Sequence, residues 1–311
     1  MAPALHAKSI LAAQAALGES ALWNPETARL CWVDIEGRAL HVFDPATGQD
    51  RHYPTGERIG AVVPMRNGHA LVALQTGIHE IDLNTGRLTH CVDPVTDEYL
   101  RFNDGKCDPA GRFWVGTFDL RRRAHIGMLY RHDPDGRTHV MLRRITNSNG
   151  LAWSLDKTTM YYIDTPTLVV QAFDYDDATG NIANPRVVIR IPQGSGGPDG
   201  MTIDAEGKLW VALWGAGRVH RYDPATGALL QAVFVAAPFT SSCAFGGPGL
   251  KTLFITTARG GLMPQQLQEY PLSGNLFAVE PGVAGVPAFF FGGQSARTHR
   301  RTLRMLKKTS H

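Results

Sequence analysis

Cysteine is scarce in this chain. Cys31, Cys91, Cys107 and Cys243 are the only four, and none lies in a C-x-x-C pair or in a Cys/His cluster. A disulfide framework and a zinc-finger-type site are therefore excluded, and the four read as free thiols buried in strands. Long apolar runs are also missing. No segment approaches the roughly 18 residues that cross a bilayer. The N-terminus offers only a mild, Ala-rich stretch from Lys8 to Leu17 without an A-x-A cleavage pattern, so a cytoplasmic protein with no membrane partner is expected. Beyond that stretch, no window of helical length has a 3.6-residue apolar period. No G-x-S-x-G elbow occurs, which speaks against covalent acyl-enzyme chemistry. Acids, finally, are absent from the C-terminus. Residues 294–311 carry Arg297, Arg300, Arg301, Arg304, Lys307 and Lys308 with no Asp or Glu, so the net charge of +3 becomes −3 for residues 1–293. The body has no nucleic-acid footprint, and the basic tail is expected to be a disordered, solvated end.

Glycine and proline are plentiful, with 33 and 19 residues, and they fall into a repeat. F-D-P-A-T-G from Phe43, I-D-L-N-T-G from Ile81, H-D-P-D-G from His132, Y-D-D-A-T-G from Tyr175 and Y-D-P-A-T-G from Tyr222 recur, with a weaker V-E-P-G from Val279. Anchored at Asp44, Asp82, Asp133, Asp174, Asp223 and Glu280, the steps are 38, 51, 41, 49 and 57 residues. Asp, Pro and Gly supply turns between β-branched and aromatic runs such as Leu30–Asp34, Met160–Asp164 and Lys208–Ala212. Units of this length holding several strands each are propeller blades. The expectation is an all-β fold, one six-bladed β-propeller over residues 1–293 with a central channel. Residues before Glu19 would add a strand to the last blade. The scattered histidines, His41 and His220 among them, read as exposed strand positions.

A second repeat precedes each Leu-Trp-Val-type run. Aligning the short polar or glycine-containing steps makes residues 19, 59, 104, 149, 199 and 242 equivalent. If these begin the innermost strands, they ring one mouth of the channel. The ring then holds Glu19, Asp104, Asn149 and Asp199. Clustered carboxylates are costly without a cation between them. An all-oxygen set suits Ca²⁺, Mg²⁺ or Mn²⁺, whereas Zn²⁺ and Fe²⁺ accept carboxylates but usually come with His or Cys.

The ordered motifs Gly18-Glu-Ser20, Arg101-Phe-Asn-Asp-Gly-Lys106, Asp108-Pro-Ala-Gly-Arg112, Ser148-Asn-Gly-Leu-Ala-Trp153, Pro198-Asp-Gly-Met201 and Thr240-Ser-Ser-Cys-Ala-Phe-Gly-Gly247 resemble the SMP-30/gluconolactonase/regucalcin family over residues 17–293. The resemblance implies one divalent metal (Ca, Zn, Mn, Mg or Fe(II)) held by Glu19, Asn149 and Asp199. It implies substrate contacts from Arg101 and Asn103, a rim role for Asp104, and a small-molecule sugar lactone as substrate.

Such a site can open a lactone. The metal polarises the carbonyl, and Asp199 is the candidate general base for the attacking water. Where relatives carry Met and a nearby acid, this chain has Phe118 and then Arg121 to Arg123. A loop of that charge over the pocket makes Arg121 a candidate contact for an anionic lactone, and a solvated loop the alternative. Two other functions compete: a non-catalytic metal-binding propeller, and a metal-dependent hydrolase of another ester class. A monomer or small homo-oligomer is expected.

Overall fold

In the computed structural model, described over residues 5–292, the chain is almost entirely strands. Two short ones, Leu5–His6 (β1) and Lys8–Leu11 (β2), come first. Gly18–Asn24, Arg29–Asp34, Ala39–Asp44 and Gln49–Pro54 (β3 to β6) form one antiparallel sheet. Ile59–Pro64, His69–Leu74, Gly77–Asp82 and Leu88–Val92 (β7 to β10) form the next. Leu100–Cys107, Phe113–Asp119, Gly127–His132 and Thr138–Ile145 (β11 to β14) follow, then Ser148–Trp153, Thr159–Asp164, Val169–Asp176 and Asn181–Arg190 (β15 to β18). Gly197–Ile203, Leu209–Trp214, Arg218–Tyr222 and Leu229–Phe234 (β19 to β22) are joined through the single pair Trp214–Phe239 to Phe239–Gly246, Thr252–Ala258 and Leu276–Val279 (β23 to β25). Repeated four-strand sheets of this kind are consistent with a propeller.

Burial explains the composition of each sheet. The first strands are covered on both faces: every residue of β3, β7 and β15 is buried. They are mostly apolar or small residues, with Glu19, Asn24 and Asn149 as buried polar exceptions. The outermost strands, such as β6 and β18, are largely exposed and polar. An apolar cluster fills each interface between consecutive sheets; Ile163, Val170 and Ile189 meet Met201, Val211 and Leu213, for example. The last cluster sets Trp23, Trp32 and Phe43 against Phe254 and Leu276, so the end of the chain packs on its beginning. In the same way β3, β7, β11, β15, β19 and β23 contact one another in order, and β23 returns to β3.

The N-terminus completes the last sheet. Lys8, Ser9 and Leu11 pair antiparallel with Ala278, Phe277 and Leu276 of β25, as expected. In addition, β1 pairs parallel to β22. The Asp-rich turns work as the sequence suggested: the Asp44 and Asp223 carboxylates accept from the N–H groups two residues on, at 2.9 and 3.0 Å. In the fourth sheet the turn residue is Asp176, which accepts from Ala178 N at 2.9 Å, so the anchor at Asp174 was two residues early.

Three further expectations are corrected. Cys91 is exposed on edge strand β10, where neighbours cover only one side, while the other three thiols are buried. His220 is buried and its Nδ1 lies 2.9 Å from the Tyr222 hydroxyl; His41 is half-buried, stacked on Trp32 and paired with Asp50 at 2.6 Å. An α-helix over Pro264–Glu269 had no periodic signal because it is only six residues long and buries none of them. No helix among the described residues is long and apolar enough to cross a membrane. The basic tail, 294–311, lies outside the described residues.

Candidate metal centre

Each first strand carries a β-bulge at the same height. Pairing with the second strand slips by one residue between Glu19 and Leu22, Ile59 and Ala61, Phe102 and Gly105, Ser148 and Leu151, Pro198 and Met201, and Thr240 and Ser242. A bulge re-aims side chains and breaks the simple alternation of a strand. Counting from the paired residues, Gly18, Ile59, Phe102, Ser148, Pro198 and Thr240 are equivalent. The residues after them are Glu19, Gly60, Asn103, Asn149, Asp199 and Ser241.

The ring read from the sequence is thereby corrected in three places. Position 60 replaces 59, Asn103 replaces Asp104, and Ser241 replaces Ser242. The alignment was misled because Asp104-Gly105 looks like Asn149-Gly150 and Asp199-Gly200. Those latter glycines have a different cause. A Cβ on Gly150 would stand 2.7 Å from the Asp199 carbonyl oxygen, and one on Gly200 would stand 2.7 Å from Ser242 Cα. Adjacent first strands approach too closely there for a side chain.

The corrected ring is linked laterally. Arg101 Nη1 donates to the Phe102 carbonyl at 2.9 Å and to Asn103 Oδ1 at 2.6 Å. Asn103 Nδ2 donates to the Ser148 carbonyl at 2.7 Å and to Asn149 Oδ1 at 2.9 Å. Asn149 Nδ2 donates to Thr165 Oγ1 at 2.7 Å, and that hydroxyl donates to the Pro198 carbonyl at 2.8 Å, next to Asp199. Arg101, Asn103 and Asn149 are thus joined through one network that ends at the carbonyl preceding Asp199, and all four residues are buried. The Arg101 guanidinium also lies over the Phe118 ring, 4.9 Å from its centroid. Thr165 was missed because it follows the second strand and carries no motif of its own.

The charges explain what this network is for. Burial, and then Asp104, push the Glu19 carboxyl from 4.5 up to about 8. Burial, then Glu19 and Asp104, hold Asp199 well above the usual carboxylate range. Burial also raises Asp104, although Lys106 opposes the shift. Arg101 falls to about 10 through burial, opposed by Glu36, Glu19 and Asp199. Two buried carboxylates that repel each other need a counter-charge to ionise together. Asp199 Oδ1 is buried without a hydrogen-bond partner among the described residues. A buried carboxylate pair with an orphaned carboxylate oxygen fits a hard divalent cation. No three side chains drawn from His, Cys, Asp and Glu group as a metal site among the described residues.

Asp104 is buried close enough to Glu19 and Asp199 to oppose their ionisation. Its Oδ1 accepts from Gly105 N at 2.8 Å, and its charge is opposed by Lys106, whose ammonium donates to the Met201 carbonyl at 2.6 Å. Sequence reasoning gave Lys106 no role.

The arginine loop sits at the sheet end that carries Arg101, since Arg101 pairs with Phe118 and Leu100 with Asp119. The three arginines are not equivalent. Arg123 is held by Asp119 at 2.7 Å and Asp97 at 2.8 Å. Arg121 is exposed and lies over the Tyr99 ring, with no carboxylate partner among the described residues.

The chain is similar to known proteins over most of its length. Residues 17–259 match the family model described as SMP-30/Gluconolactonase/LRE-like region. A Bacillus subtilis (strain 168) protein, YvrE, whose name puts it forward as a sugar lactone lactonase, is 38% identical over 281 residues, covering 90% of this chain and 96% of its own. Regucalcin of Danio rerio is 39% identical over 280 residues, covering 89% and 95%. The crystal structure of a calcium-binding protein, regucalcin, from Agrobacterium tumefaciens superposes with a TM-score of 0.89 at 28% identity, covering 94% of this chain and 99% of that one. This chain belongs to the SMP-30/gluconolactonase/LRE-like family.

Proposed function

We propose that this protein is a divalent-metal-dependent lactonase that opens a sugar lactone to the sugar acid. The reading includes one propeller of six blades over residues 1–293, with the metal at the channel mouth that carries Glu19, Asn149 and Asp199. One observation carries it: buried Asp199 keeps an oxygen without a partner beside a second buried carboxylate, at equivalent positions of two strands. A divalent ion bound there supplies Lewis-acid polarisation of a carbonyl.

This chain's own residues do the rest. The Asp199 carboxylate takes a proton from the water that adds to the lactone carbonyl carbon. As the ring C–O bond breaks, that proton passes to the departing ring oxygen, which leaves as a hydroxyl group of the product acid. Arg101 and Asn103 hydrogen-bond the sugar hydroxyls, each held in place by the network to Asn149. Arg121, on its Tyr99 platform, would meet an acidic group on the substrate. The protein works in the cytoplasm on a small molecule.

The test is a pH-stat assay of metal-stripped protein on a panel of aldonolactones, with each divalent ion restored in turn. Metal-dependent acid release that disappears in Asp199→Ala supports the reading. Metal binding without acid release from any lactone supports instead a metal-binding propeller, the reading favoured by the name of the Agrobacterium relative. Acid release only from other esters moves the substrate class.

A further inference from the structure

The channel has a second, differently built end. The carboxylate ring lies near the start of the first strands. A cavity of about 290 Å³ lies at their other end, lined by Trp23, Trp153, Ile203 and Phe245. It is covered by a strap, Val286 to Phe289. The strap is fastened on both sides. Ala205 N donates to the Ala284 carbonyl at 2.9 Å and Gly285 N to the Leu250 carbonyl at 2.8 Å. On the far side Phe291 N donates to the Pro64 carbonyl at 2.9 Å and Gly292 N to the Gly111 carbonyl at 3.0 Å. The lactonase reading uses none of these residues.

Three features of the lining specify a ligand. Its walls are apolar and aromatic. Its charged members are Lys106 and Lys157, with no Asp or Glu among the lining residues. The volume lies just under the roughly 300–1,000 Å³ of sites for drug-sized ligands, which limits the occupant to a small molecule.

From this lining we infer that the cavity beneath the Val286–Phe289 strap binds a small amphipathic monocarboxylate, its apolar body among Trp23, Trp153 and Phe245 and its carboxylate with Lys106 and Lys157. The apolar body gains by leaving water. The carboxylate gains Lys157 and Lys106, and although Asp104 and the Met201 carbonyl already draw on Lys106, no Asp or Glu lines the cavity itself. The lactone site is separate, because Glu19, Asn149 and Asp199 lie near the start of the first strands and none of them lines this cavity.

Octanoate is the probe, titrated by calorimetry into the metal-loaded protein, with octanol and octylamine in parallel. One octanoate should bind per chain, with octanol weaker by about tenfold or more and octylamine undetected. Ala288→Trp, which fills the cavity from the strap, should abolish binding without lowering Tm by more than a few degrees. Lys106→Met should bring octanoate down to the level of octanol. Asp199→Asn should bind octanoate as the parent does. No saturable octanoate binding at millimolar concentration overturns the inference. Equal affinity for octanol and octanoate overturns the role of the lysines. Binding that survives Ala288→Trp but is lost in Asp199→Asn assigns the anion to the metal centre and refutes the second site. None of these results depends on lactone hydrolysis.

Discussion

Replacing Gly150 with alanine tests how the closeness of the first strands sets the metal centre. The added Cβ would stand 2.6 Å from Met201 Cβ, 2.7 Å from the Asp199 carbonyl oxygen and 2.9 Å from Ile163 Cδ1. Ordinary contacts need about 3.5–4 Å, so β15 and β19 must part by roughly 1 Å. Backbone oxygen and a packed Cβ cannot swing aside, and overpacking of this kind costs about 1–3 kcal/mol. With unfolding entropy near 2.1 cal/mol/K per residue, Tm should fall by about 2–5 °C. The shift acts on the backbone of Asp199 itself. A misplacement of about 1 Å at a reacting group can cost about 100-fold in rate, so kcat/KM should fall far more than stability. Gly197→Ala is the control on the same strand. Its Cβ would meet only the Thr165 methyl at 3.1 Å and Trp214 Cβ at 4.0 Å, and both effects should be small. Thermal melts, lactone kinetics and metal titrations decide the matter. A Gly150→Ala protein with the Tm, kcat/KM and metal affinity of its parent would refute the reasoning.

Other outcomes follow from the same geometry. Asp199→Asn should raise the Tm of the metal-free protein, because it removes a buried charge that repels Glu19, and should abolish both activity and stabilisation by added metal. In the metal-loaded parent, chelation should lower stability by about 2.7 kcal/mol when free metal had stood at about 100 times Kd, read as a fall in Tm. Arg101→Met removes charged hydrogen bonds worth about 1.5–3 kcal/mol, so kcat/KM should fall by roughly 10- to 100-fold. Burial lowers His220 from 6.5 to about 4. It stays neutral in the fold while the unfolded chain takes up a proton, so stability falls as pH drops from about 6.5 toward 4. His220→Gln should flatten Tm over that window.

Much of this protein could be read from its sequence because turns and strands are local. The Asp residues at 44, 82 and 223 each bind the N–H two positions on, so their spacing marks the sheets whatever lies around them. Glu19, Asn149 and Asp199 fell at equivalent positions for the same reason: each lies four residues before a position paired with the first apolar residue of the next strand. What the sequence left open was decided by pairing between strands. A slip of one residue exchanges the faces of a strand, and only the bulge after Phe102 puts Asn103, and not Asp104, at the position equivalent to Asn149 and Asp199. The last sheet takes β2 from the other end of the chain, which no local pattern specifies. The reach of Lys106 to Met201, 95 residues away, and the strap over the far cavity arise only when the strands stand around a common axis. The residues of the proposed site were therefore visible in the sequence. Which of them meet, and which carboxylate oxygen is left without a partner, depended on distances that exist only once the sheets are packed.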